Sequence, residues 1–336
     1  MTPVELGIDL RYQDAAAPPA LCQAGATLIL MPSTALSAAP EDCLARALLS
    51  LDGLSVGDAF GERFFGHHDD VRARLATRTL PEAPWRHTDD TAMALGIVEV
   101  LRELGSIDQD RLAAVFARRY AGDRFRGYGS GAAQLLQAIS RGCHWRHEAC
   151  SLFHGQGSLG NGGAMRVAPL GAYFAHDTAK AVEQARLSAQ VTHAHPEGQA
   201  GAVAVALAAA WATRASCGQA VGDGAEMLRF VLDGTPESRT RAGIEQALAL
   251  LPSASVKLAA ITLGNGANVS APDTVPFCLW CAALYPDRFE EALWVTVSAL
   301  GDRDTTCAIV GGIVALSAGA AAIPQVWLNA RETLPL

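Results

Sequence analysis

The chain has 336 residues, of which 50% are apolar and 18% are charged, so it can bury a large core. Its formal net charge of −8 argues against a nucleic-acid backbone as the main partner. Eight scattered cysteines and an N-terminus unlike a signal peptide predict reduced thiols in a cytoplasmic protein. A charge-free run, residues 305–330, could span a bilayer in length, but its Gly, Ala and Ser content and Pro324 predict a soluble protein without a membrane partner.

Residues 1–40 differ from the rest of the chain. Residues 5–12 alternate partly between polar and apolar, and residues 26–31 form a short apolar run, both of which are typical of β-strands. Residues 15–20, rich in Ala and Pro, indicate a loop between them. We therefore expect a small N-terminal β-containing appendage, residues 1–40, before the main domain, residues 41–336.

After residue 40 the apolar residues recur at helical spacing, which predicts an all-α, compact multi-helix domain. Four glycine-rich segments are predicted as loops between these helices, and together they favour a shared ligand cleft. They are residues 53–66, 122–131, 155–163 and 264–266. The helices are predicted at residues 41–52, 88–104, 110–120, 131–140, 179–191, 198–214, 225–232, 240–251, 275–284 and 288–300.

Two acidic clusters lie about two hundred residues apart and each opens an apolar, helical segment. One is Thr88-Asp89-Asp90-Thr91, and the other is Asp302-Arg303-Asp304-Thr305-Thr306. A helix N-cap explains one such residue but not adjacent carboxylates, which repel each other unless a cation or solvent separates them. If the fold joins the clusters, they form an all-oxygen site for one or two hard divalent cations.

The string Gly157-Ser-Leu-Gly-Asn-Gly-Gly-Ala-Met-Arg-Val-Ala-Pro-Leu-Gly171 offers backbone N–H groups, Ser158 and Asn161 to a polar ligand. A helix from Ala164 onward would favour a phosphate at its N-terminal end. The string lacks the Gly-Lys-Ser/Thr and the preceding strand of the common nucleotide-binding fingerprints, and an ordinary glycine-rich turn is the alternative.

The order of these motifs resembles the ADP-ribosylglycohydrolases, the group typified by the dinitrogenase-reductase-activating glycohydrolase. The resemblance covers residues 45–325 and is carried by six motifs in the family's order. They are Leu51-Asp-Gly-Leu-Ser-Val-Gly-Asp-Ala-Phe-Gly61, Thr88-Asp-Asp-Thr-Ala-Met93, Arg126-Gly-Tyr-Gly-Ser130, the string from Gly157 to Gly171, Leu187-Ser-Ala-Gln-Val-Thr-His193 and Gly301-Asp-Arg-Asp-Thr-Thr306.

The resemblance implies an all-α fold with two Mg²⁺ ions, or Mn²⁺ in their place, in a cleft that hydrolyses ADP-ribose from an acceptor, often an arginine side chain. It implies six metal ligands, namely Thr88, Asp89, Asp90, Asp302, Asp304 and Thr305. It places ten residues around the ADP-ribose, namely Gly127, Tyr128, Gly129, Ser130, Ser158, Gly160, Asn161, Gly162, Met165 and His193, the last of which has an equally good structural explanation.

The catalytic carboxylate is the point at which the chain departs from the family pattern. Asp89 or Asp90 is expected to handle the proton. Many family members also carry a glutamate where this chain has Phe65, and Glu62 is the only glutamate nearby. Either Glu62 acts from a shifted position or it is a surface charge.

Two further functions remain open from the sequence. An immunity protein would neutralise an ADP-ribosyltransferase toxin by direct binding through residues 1–40, with or without hydrolysis. A Mg²⁺-dependent phosphoester hydrolase would explain the aspartates but not the string from Gly157 to Gly171. Hydrolysis of an ADP-ribosylated protein or small ADP-ribose conjugate accounts for most of the motifs.

Overall fold

A computed structural model of the chain describes residues 36–220 and 223–335. Within these ranges the chain forms sixteen α-helices and two short 3₁₀ helices, which confirms the all-α prediction. The helices are α1 (Pro40–Glu62), α2 (His68–Thr77), α3 (Asp89–Leu104), α4 (Gln109–Gly122), α5 (Ser130–Ser140), α6 (Trp145–Gly155), α7 (Ala168–Tyr173), α8 (Thr178–Gln190), α9 (Pro196–Ser216), α10 (Gly224–Gly234), α11 (Arg239–Leu250), α12 (Val256–Leu263), α13 (Ala271–Leu284), α14 (Phe289–Ser298), α15 (Arg303–Ala318) and α16 (Gln325–Ala330).

The described residues contain no β-strand, only two isolated β-bridges. The predicted β-containing appendage, residues 1–40, falls almost entirely outside the described residues, so the appendage and its boundary stay predictions. No helix among the described residues is long and apolar enough to cross a membrane.

Helices α1 and α15 pack together with their backbones in direct contact. Gly53, Gly57 and Gly61 follow each other at four-residue intervals on α1, so they lie on one face. A Cβ added to Gly57 would lie 2.1 Å from the carbonyl oxygen of Cys307 on α15. Only glycine leaves room for this approach, which brings the last turn of α1 beside the first turn of α15.

An aromatic cluster supports the C-terminal end of α1. The ring of Phe60 stacks on Trp327 with 4.5 Å between centroids and meets the edge of Trp294 at 5.1 Å. Phe64 and Trp85 pack against the same ring. All five side chains are buried, and aromatic pairs of this kind contribute beyond their buried area.

The structure corrects two local predictions. Residues 53–66 were expected to form a loop, but α1 continues to Glu62 because its glycines pack against α15 instead of turning the chain. A helix was expected from Ala164, whereas a 3₁₀ turn, Asn161–Gly163, comes first and α7 begins only at Ala168.

Candidate metal centre and ligand site

Asp58 of α1 holds the start of α3. Its carboxylate accepts hydrogen bonds from the backbone N–H of Thr88 at 3.0 Å and of Thr91 at 3.1 Å. The hydroxyls of both threonines also donate to it, at 2.8 and 2.5 Å. A fully buried carboxylate thus satisfies N–H groups that the first turn of a helix leaves free.

Asp58, Asp90 and Asp304 form a carboxylate triad where α1, α3 and α15 meet. One oxygen from each of the three carboxylates lies within 4.8 Å of the other two. Asp90 Oδ1 and Asp304 Oδ1 are buried and have no hydrogen-bond partner. Buried oxygens without partners are rare, so these two are free to accept a cation.

The triad joins the two acidic clusters, which is the condition that the sequence set for a shared cation site. The hydroxyl of Thr88 lies 3.0 Å from Asp90 Oδ2, and the hydroxyl of Thr305 lies 3.4 Å from the same oxygen. Asp90 therefore contacts residues from both clusters. Two of the six predicted ligands, Asp90 and Asp304, belong to the triad, and the complete ligand set stays a prediction.

Burial and mutual repulsion raise the pKa values of the carboxyl groups. Burial raises the pKa of Asp58 to about 6, and burial together with the charge of Asp58 raises the pKa of Asp89 to about 7. The pKa values of Asp90 and Asp304 are raised well above the usual range, first by burial and then by neighbouring aspartates. Such a cluster favours a divalent cation, which removes the repulsion.

Asp89 lies beside the loop that ends at α5 rather than within the triad. Its N–H donates to the carbonyl of Arg126 at 2.7 Å, and a Cβ on Gly127 would lie 3.6 Å from Asp89 Oδ1. Burial and the charge of Asp89 raise the pKa of Tyr128, whose hydroxyl is buried without a partner. Gly129 caps α5 and Ser130 begins it with an exposed side chain.

The loop before the 3₁₀ turn reaches the second acidic cluster through Asn161. Asn161 Nδ2 donates to Asp302 Oδ2 at 2.7 Å and to the hydroxyl of Thr274 at 3.1 Å. The Asn161 N–H donates to the carbonyl of Val269 at 3.4 Å. The structure thus brings the glycine-rich string and the second acidic cluster together.

His193 packs on the same loop. A Cβ on Gly162 would lie 2.9 Å from its Cε1, and one on Gly160 would lie 3.3 Å from its Nε2. The Ser158 hydroxyl accepts from the Gly160 N–H at 3.1 Å, and Met165 is buried nearby. Burial lowers the pKa of His193 to about 3, so its imidazole is neutral at physiological pH.

Sequence reasoning missed two buried residues. Asp58 lies within a glycine-rich motif, and the available signal was its position between Gly57 and Gly61 on α1. Arg166 is fully buried, donates to the hydroxyl of Thr192 at 2.8 Å, and stacks 4.6 Å from the ring centre of Phe116. Burial lowers the pKa of Arg166 to about 9, and the charge of Asp89 opposes that shift.

Glu62, the last residue of α1, and Phe65, which follows the helix, have different surroundings. Glu62 stands one turn after Asp58 on α1, and partial burial and then the charge of Asp58 raise its pKa. Phe65 is 45% exposed, and the guanidinium of Arg303 lies 4.8 Å from its ring centre. Of the two, only Glu62 offers a carboxylate near the triad.

The residues present fit a hard cation. The three carboxylates that meet at the junction of α1, α3 and α15 offer only oxygen, and two of these oxygens are buried without partners. Oxygen donors of this kind suit Mg²⁺ or Mn²⁺ rather than soft metals. The Cys278-x-x-Cys281 pair lies buried in the core on α13, away from these oxygens.

The described residues thus form an all-α fold in which buried aspartates lie beside a glycine-rich loop. The family model of the ADP-ribosylglycohydrolases matches residues 39–334. The chain therefore belongs to the ADP-ribosylglycohydrolase family and is a glycohydrolase that acts on ADP-ribosylated substrates.

Individual relatives agree with this assignment. The chain is 31% identical to human ADP-ribosylhydrolase ARH3 over 86% of this chain and 88% of the relative. It is 23% identical to ADP-ribosylarginine hydrolase Tri1 of Pseudomonas putida (strain GB-1), over 88% of this chain and 77% of Tri1. A solved structure titled ADP-ribosylglycohydrolase-related protein complex covers 87% of this chain and 94% of its own, at a TM-score of 0.59 and 23% identity, and it supports the fold.

Proposed function

We propose that the protein is a Mg²⁺-dependent hydrolase that removes ADP-ribose from modified protein side chains, with arginine as the acceptor. The observation that carries this proposal is the carboxylate triad, in which Asp90 and Asp304 each hold a buried oxygen without a partner. The triad stands beside a glycine-rich loop that is tied to Asp302 through Asn161. A cation site next to a polar ligand loop suits a substrate with ribose hydroxyls and phosphates.

The glycine-rich loop supplies the proposed diphosphate site. Ser158, Gly160, Asn161 and Gly162 lie on one short stretch that packs against the neutral imidazole of His193. Backbone N–H groups in a compact turn attract anions. Gly127, Tyr128, Gly129 and Ser130 belong to the second loop, next to Asp89. We expect the ribose between these two loops.

Two ions are proposed, with Thr88, Asp89, Asp90, Asp302, Asp304 and Thr305 as ligands. Mg²⁺ is the first choice because the donors are all oxygen, and Mn²⁺ can substitute for it. When bound, the ions would orient the ribose hydroxyls and make a water more acidic. Asp58 has both oxygens in hydrogen bonds to Thr88 and Thr91, so its proposed role is to hold the ligand segment in place.

Three carboxylates can handle the proton that the attacking water loses. Asp89 is the first candidate, because it faces the Gly127 loop and lies outside the triad. Asp90 is held by hydroxyls from both clusters, which suits a fixed ligand better than a base. Glu62 lies at the end of α1 on the face of Asp58, and we propose that it acts at the leaving group in place of the glutamate that Phe65 replaces.

Arginine is proposed as the acceptor from the family resemblance and from the name of one relative. Tri1 is named an ADP-ribosylarginine hydrolase and matches 88% of this chain. The most direct test incubates the protein with arginine-linked and with hydroxyl-linked ADP-ribose conjugates and measures released ADP-ribose. Release from arginine alone supports the proposal. Release only from the hydroxyl-linked conjugate would refute the acceptor while leaving the hydrolase intact.

The metal requirement is tested in the same assay. A chelator should abolish release, and Mg²⁺ or Mn²⁺ should restore it, whereas Asp304→Ala should stay inactive after metal is added. Asp69→Asn is the matched control, because Asp69 is an exposed aspartate on α2. Full activity of Asp304→Ala with metal would contradict the proposed centre.

Toxin binding and cytoplasmic localisation stay predictions from the sequence. Binding of an ADP-ribosyltransferase toxin through residues 1–40 concerns a segment that lies almost wholly outside the described residues. Cytoplasmic localisation likewise rests on the cysteine usage and the N-terminal sequence. The phosphoester alternative is superseded by membership of a glycohydrolase family.

A further inference from the structure

The last described segment of the chain lies beside the residues that precede the first acidic cluster. The N–H of Trp85 donates to the carbonyl of Ala330 at 2.6 Å, and the N–H of Glu332 donates to the carbonyl of Trp85 at 2.9 Å. Trp85 and Arg331 form a parallel β-bridge. These bonds place Glu332 next to His87, one residue before Thr88.

The carboxylate of Glu332 contacts two separate segments at once. It accepts from the N–H of His87 at 2.8 Å and from the guanidinium of Arg126. Arg126 also donates to the carbonyl of His87 at 2.8 Å, and its Nε lies 2.9 Å from Asp123. The Glu332 carboxylate and the Arg126 guanidinium therefore connect His87, the residue before Thr88, to Arg126, the residue before Gly127.

This connection continues directly into the site. The carbonyl of Arg126 accepts from the N–H of Asp89 at 2.7 Å, and Gly127 turns the chain at a φ of +89° within reach of Asp89. The distance between the metal motif and the loop is thus set by Arg126, and Arg126 is held by Glu332. The side chains of Arg126 and Glu332 are only 15% and 25% exposed, so water competes weakly for their charge-assisted hydrogen bonds.

We propose that Glu332 is a positioning residue that holds the Thr88-Asp89-Asp90 segment and the Gly127–Ser130 loop at the spacing needed to bind metal and ADP-ribose together. This inference rests on the proposed function of the site. Glu332 acts through its hydrogen bonds to His87 and Arg126.

The test compares Glu332→Gln with Glu291→Gln in the full chain. Glu291 pairs in a bidentate manner with Arg78, at 2.6 and 2.9 Å, and its side chain is 33% exposed, so the control removes a comparable ion pair between α2 and α14. Binding of ADP-ribose and of Mn²⁺ is measured by calorimetry, together with thermal unfolding. Hydrogen exchange is followed at the amides of residues 87–90 and 127–130.

We expect Glu332→Gln to weaken ADP-ribose and Mn²⁺ binding about tenfold, in the range found when partners behind a metal site are removed. Exchange should quicken in both segments, and the KM should rise more than the kcat falls. Glu291→Gln should leave binding and these amides unchanged. In a double-mutant cycle with Arg126→Gln, the two effects should be strongly non-additive, because both variants remove one interaction.

Several outcomes would overturn the proposal. Unchanged binding and exchange in Glu332→Gln, with a loss of thermal stability like that of Glu291→Gln, would make Glu332 a merely structural residue. If Glu332→Gln fails to fold, Glu332→Asp keeps the charge at shorter reach, and wild-type binding in that variant would also overturn it. Failure of the wild type to bind ADP-ribose would reject the proposed function, while the exchange comparison would still decide whether Glu332 fixes the two segments.

Discussion

Asp304→Asn and Asp58→Asn should change the stability of the metal-free protein in opposite directions, although both remove one charge from the same triad. At an effective dielectric constant of about 20, two unit charges 4.8 Å apart repel by about 3.5 kcal/mol. Asp304 takes part in two such pairs, and its Oδ1 accepts no hydrogen bond. Raised pKa values already keep part of the cluster protonated, which reduces the repulsion. Asp304→Asn should therefore raise the free energy of unfolding of the metal-free protein by about 1–2 kcal/mol.

Asp58 differs because its carboxylate is saturated by donors. An amide in its place would point hydrogens at the N–H groups of Thr88 or Thr91, so Asp58→Asn should cost about 2–4 kcal/mol despite the lost repulsion. Thermal unfolding with a chelator at pH 8 measures both effects. A gain of 1 kcal/mol corresponds to roughly 1–2 °C in a chain of this size.

Added Mg²⁺ completes the comparison. It should raise the Tm of the wild type in proportion to the logarithm of its concentration, since a ligand that binds only the folded state stabilises it by mass action. Asp304→Asn should lose most of this rise. The reasoning that this triad is a repulsive cation site would be refuted by a Tm of Asp304→Asn below that of the wild type in chelator. It would also be refuted if Mg²⁺ raised the Tm of Asp304→Asn as much as that of the wild type.

Three other predictions concern the surroundings of the site. The pKa of His193 is about 3 in the folded protein and about 6.5 in the unfolded chain, so the free energy of unfolding falls as pH drops below 6.5, by about 2 kcal/mol at pH 5. Denaturant titrations at several pH values should show this fall in the wild type and not in His193→Gln. The same dependence on pH in both proteins would contradict the prediction. Gly57→Ala should destabilise the protein by about 2–3 kcal/mol or more, because its Cβ would meet the Cys307 carbonyl, whereas Gly122→Ala, with open space around it, should be neutral in the same unfolding assay. Glu62→Gln should lower kcat at least about tenfold with little change in Tm, and an unchanged kcat would make Glu62 a surface charge.

The sequence was sufficient to predict the helical class, because local patterns carry it. The meeting of the two acidic clusters was implied only by the family resemblance. Thr88 and Asp302 stand before helices in which the apolar spacing is strong, so their positions at helix starts could be inferred. The contact between Asn161 and Asp302 brings one predicted glycine-rich loop to the second acidic cluster, while the shared ligand cleft stays a prediction.

What the sequence could not show depends on contacts between distant segments. The glycines of residues 53–61 favour a loop by their own preference, and only the close approach of α15 explains why they are helical. The role of Asp58 depends on donors thirty residues away, and that of Glu332 depends on Arg126, about two hundred residues earlier. No spacing rule within a single segment reveals such partners.

The backbone contact between α1 and α15 also has a kinetic consequence. These helices lie near opposite ends of the described chain, residues 40–62 and 303–318, yet the carboxylates of Asp58 and Asp304 become neighbours only when they meet. Joining segments so far apart in sequence is slow, because the entropy of closing the long intervening loop is lost before the contact stabilises anything. During synthesis, a chain that still lacks α15 has Asp58 and Asp90 but not Asp304, so the proposed cation site is complete only after α15 has packed against α1.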